Sequence, residues 1–296
     1  MAILVSADTG VLIQGITGRT GQLFATRMLA GGTRVLGGIS PGRGGALVQG
    51  LPVFDTVAEA IDESGARTVL SCIGPHRALD GLVEAVAAGA GLVVSYIENV
   101  PVHDAILMRA YARARGTRLL GPNSAGIVTP RGCNLSDLNE DNLIPGPVGI
   151  VSKSGTLTYE VIAALRDREV GVSTVTCLGG DRVLGSDYAD ILPLYEDDPE
   201  TRLVVVIGEP GGALEQDAAR MAHAMSTPVV GFITGRFAPK EVRMGHVGAV
   251  VGLDGRSQPE AKVQAFKAAG CKVASLITDV AALVMQGLQQ ADGSFL

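Results

Sequence analysis

Tryptophan is absent from this sequence, and aromatic residues make up only 4% of it. Cysteine is scarce too: the four cysteines, Cys72, Cys133, Cys177 and Cys271, lie far apart and form no CxxC pair. This spacing fits neither a disulfide framework nor a cysteine-rich metal site. The sequence therefore predicts reduced thiols, no metal site and a cytoplasmic location.

An excess of positive charge is also missing. Lys and Arg number 24 against 30 Asp and Glu, which gives a net charge of −6, and no basic stripe is present. Mean hydropathy is +0.31, yet no apolar run approaches the roughly 20 residues of a membrane-spanning helix. The N-terminal residues Met1–Val5 lack the basic segment of a signal peptide. We therefore expect neither nucleic acid nor a membrane as a partner.

Short apolar runs alternate with amphipathic runs along the 296 residues. This alternation predicts βαβ units with a parallel sheet in each half of the chain. In the first half, strands are predicted at 10–14, 34–38, 68–72, 92–95 and 119–120, with helices at 17–30, 57–64, 77–88 and 102–115. In the second half, strands are predicted at 149–151, 174–176, 203–207 and 229–233, with helices at 157–167, 187–195, 214–225 and 261–269.

Residues 129–147 interrupt this rhythm with several Asn, two acids and Pro-Gly-Pro. The sequence thus predicts an α/β domain over 1–128, a linker over 129–147 and a second α/β domain over 148–296. Both are expected to be doubly wound. Such sheets bind ligands beyond the carboxyl ends of their strands, so functional motifs are expected there.

The first motif follows the first predicted strand and places glycines at 15, 18 and 21. A glycine turn at a helix start lets backbone N–H groups and the helix dipole face a phosphate. The spacing is GxxGxxG, without the GxG of a dinucleotide site, and an ordinary strand-to-helix turn remains possible. No acid follows the second strand to hold a ribose. Arg43 stands there instead. Its cationic side chain would suit the extra phosphate of CoA or NADP, although a solvated loop would also explain it.

The second motif is Ser154-Gly155-Thr156, directly after the first strand of the second half. Hydroxyl and N–H groups at a helix start can hold an anion, although a plain N-cap would also explain them. The third is His246, one of four histidines, which has glycines at 245 and 248. Imidazole is nucleophilic near pH 7 and can carry a phosphoryl group. Glu209 ends a buried strand among glycines and could orient such a ring.

Together these segments resemble the α subunits of succinyl-CoA synthetases, which belong to the nucleoside-diphosphate-forming acyl-CoA synthetases, and the likeness covers nearly the whole chain. The matching strings include Gly15–Gly18, Pro41–Gly45, Leu51–Phe54, Gly121–Asn123, Ser154–Glu160, Gly179–Asp181, Ile207–Glu209, Ala238–Lys240 and Arg243–His246. The resemblance implies an N-terminal Rossmann-like CoA-binding domain and a C-terminal flavodoxin-like domain that carries a phosphohistidine.

Site residues follow from the same resemblance. It implies that His246 accepts the phosphoryl group, that Glu209 orients the ring, and that Tyr159 faces the acid substrate. The helix beginning near Ser154, Gly155 and Thr156 would cradle the phosphate. The residues implied to contact CoA are Thr17, Gly18, Arg19, Thr20, Arg43, Tyr96, Ile97 and Glu98.

The resemblance also implies a partner β subunit of the ATP-grasp fold, which would bind Mg²⁺ and ATP or GTP in a heterodimer or heterotetramer. Phosphate would pass from the nucleotide to the histidine and then to a carboxylic acid, and the acyl phosphate would react with the thiol of CoA. An isolated α chain is expected not to turn over.

Several segments depart from the family pattern near the implied CoA and acid sites. They are Ser124-Ala125, 133–141, Ile73–Arg77, Ile97–Asn99 and Arg182. Succinate, malate, citrate or another short acid therefore stay open as the substrate. Three other classes stay open: an acyl- or carbamoyl-transferring relative without ligase activity, an NADP-linked reductase, and a non-catalytic CoA-binding regulator.

Overall fold

The computed structural model describes residues 3–236, 246, 248–251 and 255–291. These residues divide into two compact units. The first unit holds 4–137 and 183–186, and the second holds 138–182 and the described residues from 187 onward, together with Ile3. The boundaries expected from the sequence, at 128 and 148, stay a prediction.

The sheet of the first unit has its strands in the order β3-β4-β2-β1-β5-β6-β7. Its strands are β1 (Val11–Gln14), β2 (Val35–Ile39), β3 (Leu47–Val48), β4 (Leu51–Phe54), β5 (Thr68–Ser71), β6 (Leu92–Ser95) and β7 (Arg118–Leu120). Only the β3–β4 pair among these is antiparallel. The helices are α1 (Arg19–Ala30), α2 (Val57–Ser64), α3 (Ala78–Ala87) and α4 (Val102–Ala114). An antiparallel pair, β8 (Gly126–Thr129) and β9 (Cys133–Ser136), follows.

Burial explains why these segments form strands. Every residue of β1, β5 and β6 is buried, as in a parallel sheet covered on both faces. Helix bounds are also encoded locally. Thr56 and Glu59 form a capping box at the start of α2, and Gly65 ends that helix with φ 70°, a left-handed conformation that glycine adopts without strain.

In the second unit all strand pairs are parallel, in the order β14-β13-β12-β10-β11. The strands are β10 (Pro145–Ser152), β11 (Val172–Cys177), β12 (Leu203–Gly208), β13 (Val229–Ile233) and β14 (Lys272–Ala274). The helices are α5 (Gly155–Arg166), α6 (Tyr188–Glu196), α7 (Leu214–Ala224), α8 (Pro259–Ala268) and α9 (Asp279–Ala291).

The strand order brings two loops of the second unit together. Strand β10 lies between β11 and β12, so the chain changes direction across the sheet at β10. Ser152 at the end of β10 is in register with Ile207 near the end of β12. The loops that follow these strands therefore start side by side, at the kind of crevice where open α/β sheets bind ligands.

The α/β fold class predicted from the sequence is confirmed by these mostly parallel sheets. Six of these strands and helices were not predicted: β3, β4, β8, β9, β14 and α9. The segment 129–147, predicted as a linker, contains β9, a short 3-10 helix at Glu140–Asn142 and the first residues of β10. Across the described ranges, the longest helices fall short of the length and apolar character that a bilayer crossing requires.

Candidate active site

A histidine and a glutamate meet in the second unit. Glu209 directly follows β12, and its Oε2 lies 2.7 Å from Nδ1 of His246. An ionised carboxylate can only accept a hydrogen bond, so Nδ1–H of the imidazole donates it. The neutral ring then carries its lone pair on Nε2. The contact therefore sets which ring nitrogen is nucleophilic.

The two side chains differ in exposure. The side chain of His246 is 31% exposed, whereas that of Glu209 is only 5% exposed. Gly180 lies against the ring: a Cβ at this position would fall 2.7 Å from Cγ of His246. The carbonyl of Gly180 also accepts a 3.0 Å hydrogen bond from the N–H of Gly248. The ring is thus seated on backbone and is still accessible to a reactant.

Glu209 is one of four buried charged side chains in mutual contact, which we call the buried charge cluster: Lys153, Glu209, Glu215 and Lys262. Lys153 Nζ lies 3.6 Å from Glu209 Oε1 and 3.7 Å from Glu215 Oε1. Lys262 Nζ pairs with Glu215 Oε2 and donates to the carbonyls of Glu209 at 2.7 Å and Gly211 at 2.6 Å. The cluster carries two positive and two negative groups, so these charges balance without solvent.

The electrostatics of the cluster act on the imidazole. The hydrogen bond to Glu209 raises the pKa of His246 above its ordinary value, while burial and the Lys153 ammonium lower it. Burial lowers the pKa of Lys262, and the Glu215 carboxylate opposes that shift. Glu209 therefore stabilises the protonated ring, and Lys153 limits that effect.

Helix α5 begins beside this cluster. Ser154 is its N-cap, and the Ser154 hydroxyl accepts the Leu157 N–H at 3.3 Å. Ser152 hydrogen-bonds to both the N–H and the carbonyl of Ser154, at 3.0 and 2.9 Å. Gly155 is half-buried and Thr156 is exposed. The first turn holds no acidic residue, so the dipole of α5 is not neutralised there by this helix's own side chains.

Tyr159 lies one turn further along α5 and is half-buried. The string Ala238–Gly245, which precedes His246 and carries part of the family resemblance, lies outside the described residues. The roles predicted for Tyr159, His246 and Glu209 stay predictions, although the geometry brings the last two into direct contact.

In the first unit, the glycine turn after β1 is tightly packed. A Cβ on Gly21 would fall inside the contact distance of the Gly15 carbonyl oxygen, so only glycine lets α1 start this close to the turn. Gly18 is the N-cap of α1 and makes no side-chain cap, and the first turn has no acidic residue. Gly18, Arg19 and Thr20 are exposed. The turn thus offers backbone N–H groups and a cation at the helix start.

The neighbouring loop is fixed by backbone contacts. Thr17 and Ser40, which follow β1 and β2, share a 2.7 Å hydroxyl contact. Asp55 accepts the N–H groups of Arg43 at 3.0 Å and Gly44 at 2.8 Å. Arg43 is exposed, so its backbone is held while its guanidinium is left to solvent.

The strip Tyr96-Ile97-Glu98 follows β6. Tyr96 packs edge-on against Phe24 with ring centroids 4.8 Å apart, and its hydroxyl donates to Asp137 at 3.3 Å. Burial and the Asp137 carboxylate raise the pKa of Tyr96 to about 12. The side chain of Ile97 is buried in the core and its carbonyl accepts the Asn123 N–H at 2.9 Å, whereas Glu98 is exposed. Within this strip, Glu98 therefore presents the most solvent-accessible side chain for a ligand.

Sequence reasoning missed the functional surroundings of Glu209. Glu215 was not singled out, although it falls on the apolar stripe of α7 with Ala218, Ala219 and Ala222. Lys262 likewise falls among the buried residues of α8. A charged residue on a stripe of apolar helix positions is the signal that could have found both. Lys153 directly precedes the Ser154-Gly155-Thr156 motif but was given no role.

Other histidines are exposed to solvent. His103 is exposed on α4, and His223 is exposed in the last turn of α7. Among the residues that the structure describes, no group of three or more His, Cys, Asp and Glu side chains is placed to bind a metal ion.

Comparison with known proteins identifies the family. A CoA binding domain family matches residues 6–99, and a CoA-ligase family matches residues 151–271. The sequence is 42% identical to succinate–CoA ligase [ADP-forming] subunit alpha 2 of Archaeoglobus fulgidus, covering 97% of this chain and 99% of that protein. It is 38% identical to succinate–CoA ligase [ADP-forming] subunit alpha of Staphylococcus aureus, covering 98% of this chain and 96% of that one.

Solved structures show a common fold at lower identity. ATP citrate lyase from Methanothrix soehngenii, in complex with citrate and coenzyme A, matches with TM-score 0.89 and 24% identity, over 99% of this chain and 52% of that chain. This chain thus spans about half the length of that protein. A dinucleotide forming acetyl-coenzyme A synthetase of Ca. Korarchaeum cryptofilum matches with TM-score 0.74 and 18% identity, over 92% of this chain and 59% of that chain. The two family matches and the extensive identity to the curated relatives establish that this chain belongs to the succinate–CoA ligase alpha subunit family.

Proposed function

We propose that this chain is the α subunit of an ADP- or GDP-forming acid–CoA ligase, with succinate as the acid and His246 as the phosphoryl carrier. The observation that carries the proposal is the 2.7 Å contact between Nδ1 of His246 and the buried Glu209 carboxylate. It leaves the lone pair on Nε2 of a partly exposed ring, within a chain of the CoA-ligase family.

In the first step, Nε2 of His246 attacks the γ-phosphorus of ATP or GTP. An N–P bond forms, the bond from phosphorus to the β-phosphate oxygen breaks, and the nucleoside diphosphate leaves with that electron pair. The ring gains positive character as the bond forms, and the Glu209 carboxylate stabilises it. Only the neutral ring is a nucleophile. Because the pKa of His246 is raised, the rate of this step should fall at acidic pH, where the ring becomes protonated.

In the second step, a carboxylate oxygen of the acid attacks the phosphorus and the N–P bond breaks. The electron pair returns to Nε2, which regenerates the neutral ring with Nδ1–H still donating to Glu209. In the third step, the CoA thiolate attacks the acyl carbon and inorganic phosphate leaves with the electron pair of the broken C–O bond. CoA supplies the thiol, and no oxidant or reductant is needed.

Residues around His246 have distinct roles in this proposal. The start of α5, with Ser154, Gly155 and Thr156, holds the transferred phosphate by its N–H groups and dipole. Tyr159 faces the acid. Support comes from the register of β10 and β12, which starts the Ser154 and Glu209 loops side by side.

The first unit would bind CoA. The tight glycine turn and the acid-free start of α1 fit a phosphate-bearing ligand. Arg43 is exposed on a fixed loop, which suits the phosphate at the nucleotide end of CoA. The residues proposed to contact CoA are Thr17, Gly18, Arg19, Thr20, Arg43, Tyr96, Ile97 and Glu98.

We further propose that the chain works with an ATP-grasp β subunit, which holds Mg²⁺ and most of the nucleotide, in a heterodimer or heterotetramer. The curated relatives are named α subunits, which supports this assembly. The isolated α chain is then expected to bind CoA but not to complete a turnover.

One observation supports a carboxylic acid other than succinate as the substrate. His76 and Arg77 lie exposed on a 3-10 helix that follows β5, at the carboxyl end of a parallel strand. Cationic groups there would suit an acid with an additional hydroxyl or carboxylate, such as malate or citrate. The departures at Ser124-Ala125 and Arg182 leave room for this alternative.

The test is phosphorylation of the purified chain, with and without its β subunit, by radiolabelled ATP or GTP and Mg²⁺. We expect an acid-labile, base-stable label that His246→Asn abolishes and that the matched variant His223→Asn retains. CoA with succinate, malate or citrate should discharge the label, and the acid that does so fastest names the substrate. A folded, CoA-binding chain that takes no label with its β subunit would reject the ligase and favour a transferase or a regulator.

A further inference from the structure

Two buried side chains, those of Glu215 and Lys262, hydrogen-bond to the N–H and the carbonyl of Glu209. We propose that Glu215 and Lys262 are positioning residues that fix the Glu209 carboxylate against Nδ1 of His246 and so select the ring tautomer with its lone pair on Nε2. The inference deepens the proposed function, because it matters for catalysis only if His246 carries the phosphoryl group.

The hydrogen bonds converge on a single residue. The N–H of Glu209 donates to Glu215 Oε1 at 3.3 Å, and the Glu209 carbonyl accepts from Lys262 Nζ at 2.7 Å. Lys262 Nζ also donates to the Gly211 carbonyl at 2.6 Å and pairs with the other oxygen of Glu215. The two side chains therefore tie Glu209 and Gly211 to α7 and α8.

The sequence after β12 needs such a restraint. Pro210 has no N–H to donate, and Gly211 and Gly212 have φ values of 94° and 60°. Glycines with positive φ have the largest conformational freedom to lose on folding. The Gly211 N–H donates to the Ser257 carbonyl at 3.0 Å, but the N–H and carbonyl of Glu209 itself are held by Glu215 and Lys262.

Burial makes the arrangement specific. The side chains of Glu215 and Lys262 are both 0% exposed, so neither can exchange its partner for water. Gly208 contributes as well, because a Cβ there would fall 2.6 Å from Cγ of Glu215. Glu215 and Lys262 contact the Glu209 backbone, whereas the ring of His246 contacts the Glu209 carboxylate. Glu215 and Lys262 therefore act through Glu209 and are not catalytic residues.

The first experiment measures the imidazole directly. Nitrogen-15 NMR of the purified chain, at a pH where the ring is neutral, reports the tautomer of His246, with His246→Asn used to assign the signal. We expect one dominant Nδ1–H tautomer in the native chain. Glu215→Gln and Lys262→Met should both convert it to the mixture of tautomers found in free histidine.

The second experiment measures phosphohistidine formation by the complex with the β subunit. Loss of a group that orients a functional side chain typically costs about 10- to 100-fold in activity, and we expect a decrease of that size for both variants. Glu196→Gln is the matched control. Glu196 also accepts backbone N–H groups in the second unit, from Ser226 at 2.7 Å and Thr227 at 2.9 Å, so its loss perturbs the fold without loosening Glu209.

A single variant leaves a buried charge unpaired and risks misfolding. The double variant Glu215→Met with Lys262→Met removes both charges and keeps the volume, and it should fold while showing the mixed tautomer. A folded double variant with the native tautomer overturns the proposal, even if phosphorylation is slower. A mixed tautomer in a chain whose native form is never phosphorylated supports the positioning role and refutes the proposed function instead.

Discussion

Two strand-to-helix turns, one in each unit, differ in the groups that surround them. In the first unit the turn from β1 into α1 contains glycines and exposed residues, and the N-cap of α1 offers backbone N–H donors without a side-chain cap. In the second unit the turn from β10 into α5 contains Lys153, a member of the buried charge cluster that pairs with Glu209. A binding site for phosphates needs donors in the right places, whereas a nucleophile also needs a fixed tautomer and orientation.

This difference predicts unequal sensitivity to substitution. In the second unit a change of one buried atom should alter chemistry, because the imidazole depends on one carboxylate held by buried groups. In the first unit a side-chain change should weaken CoA binding only slightly, because several backbone N–H groups are expected to contact the ligand.

Glu209→Gln should have the largest effect. Conversion of an orienting carboxylate to an amide can cost about 10⁴-fold in a catalytic triad, and we expect a loss of roughly 10³-fold in phosphohistidine formation on that scale. The variant also removes the carboxylate charge that strengthens this hydrogen bond and raises the pKa of His246. Rapid-quench labelling with the β subunit measures the rate.

The pH dependence of the same variant sharpens the test. The native rate falls as pH drops through the raised pKa of His246, and in Glu209→Gln this acidic limb should move to lower pH. Glu98→Gln, an exposed glutamate in the first unit, should leave the limb in place. An unshifted limb in Glu209→Gln would mean that another group sets the pKa of the ring.

Gly180→Ala should have the next largest effect. The added Cβ would lie 2.7 Å from Cγ of His246, so the ring must move. A displacement of about 1 Å at a reacting group can cost roughly 100-fold in rate. The matched control is Gly91→Ala, because a Cβ at Gly91 would meet only the Arg67 carbonyl at 3.9 Å. Equal rates of phosphohistidine formation in the two variants would show that the position of the His246 ring does not depend on its contact with Gly180.

Gly21→Ala tests the backbone-built site of the first unit. A Cβ on Gly21 would press on the backbone of Gly15 and Ile16, and such overpacking typically costs about 1–3 kcal/mol. We expect a lower Tm together with weaker CoA binding, because α1 must shift away from the turn. Calorimetric titration with CoA and thermal unfolding measure the two effects. Native CoA affinity in this variant would place the CoA phosphates elsewhere.

Arg43→Ala should have a smaller effect. A hydrogen bond to a charged group contributes about 1.5–3 kcal/mol, and exposure of Arg43 reduces this, so we expect a loss of roughly 3- to 10-fold in CoA affinity. The native chain should bind CoA more tightly than CoA lacking its 3′-phosphate, and the variant should lose that preference. An unchanged preference would assign the 3′-phosphate to another residue.

The two units also differ in how far sequence predicts them. The alternation of strands and helices was predicted correctly for most of the chain, because buried parallel strands such as β1 and β12 appear as short apolar runs. The hairpin of β3 and β4 was missed because it has only two residues in β3 and contains a proline. Strand β14 was missed because its three residues include a lysine.

The site shows the same limit. Gly18, Ser154, His246 and Glu209 were predicted from local patterns and family resemblance, since each stands in a distinctive string. The pairing of Glu215 with Lys262 joins residues 47 positions apart, and lysine and glutamate on helices are usually solvated. The apolar stripes of α7 and α8 mark each residue as a candidate for burial, but only the packing of the two helices shows that Glu215 and Lys262 pair with each other.

Glu196→Gln should have the smallest effect, and it separates fold stability from chemistry within the second unit. Burial raises the pKa of Glu196, but hydrogen bonds from Ser226 and Thr227 outweigh it and lower the pKa from 4.5 to about 2. The charged form is thus favoured in the folded state. Its contribution to stability is fully present above the unfolded pKa, near 4.5, and is lost as pH falls towards 2.

Loss of the charged acceptor should cost about 1 kcal/mol, which lowers Tm by roughly 2–4 °C for a domain of this size at neutral pH. The difference in Tm from the native chain should shrink between pH 4.5 and about 2, the interval between the two pKa values. Phosphorylation of His246 should be unaffected. A difference in Tm that is the same at neutral and acidic pH would show that Glu196 stabilises the loop before β13 through its shape rather than its charge.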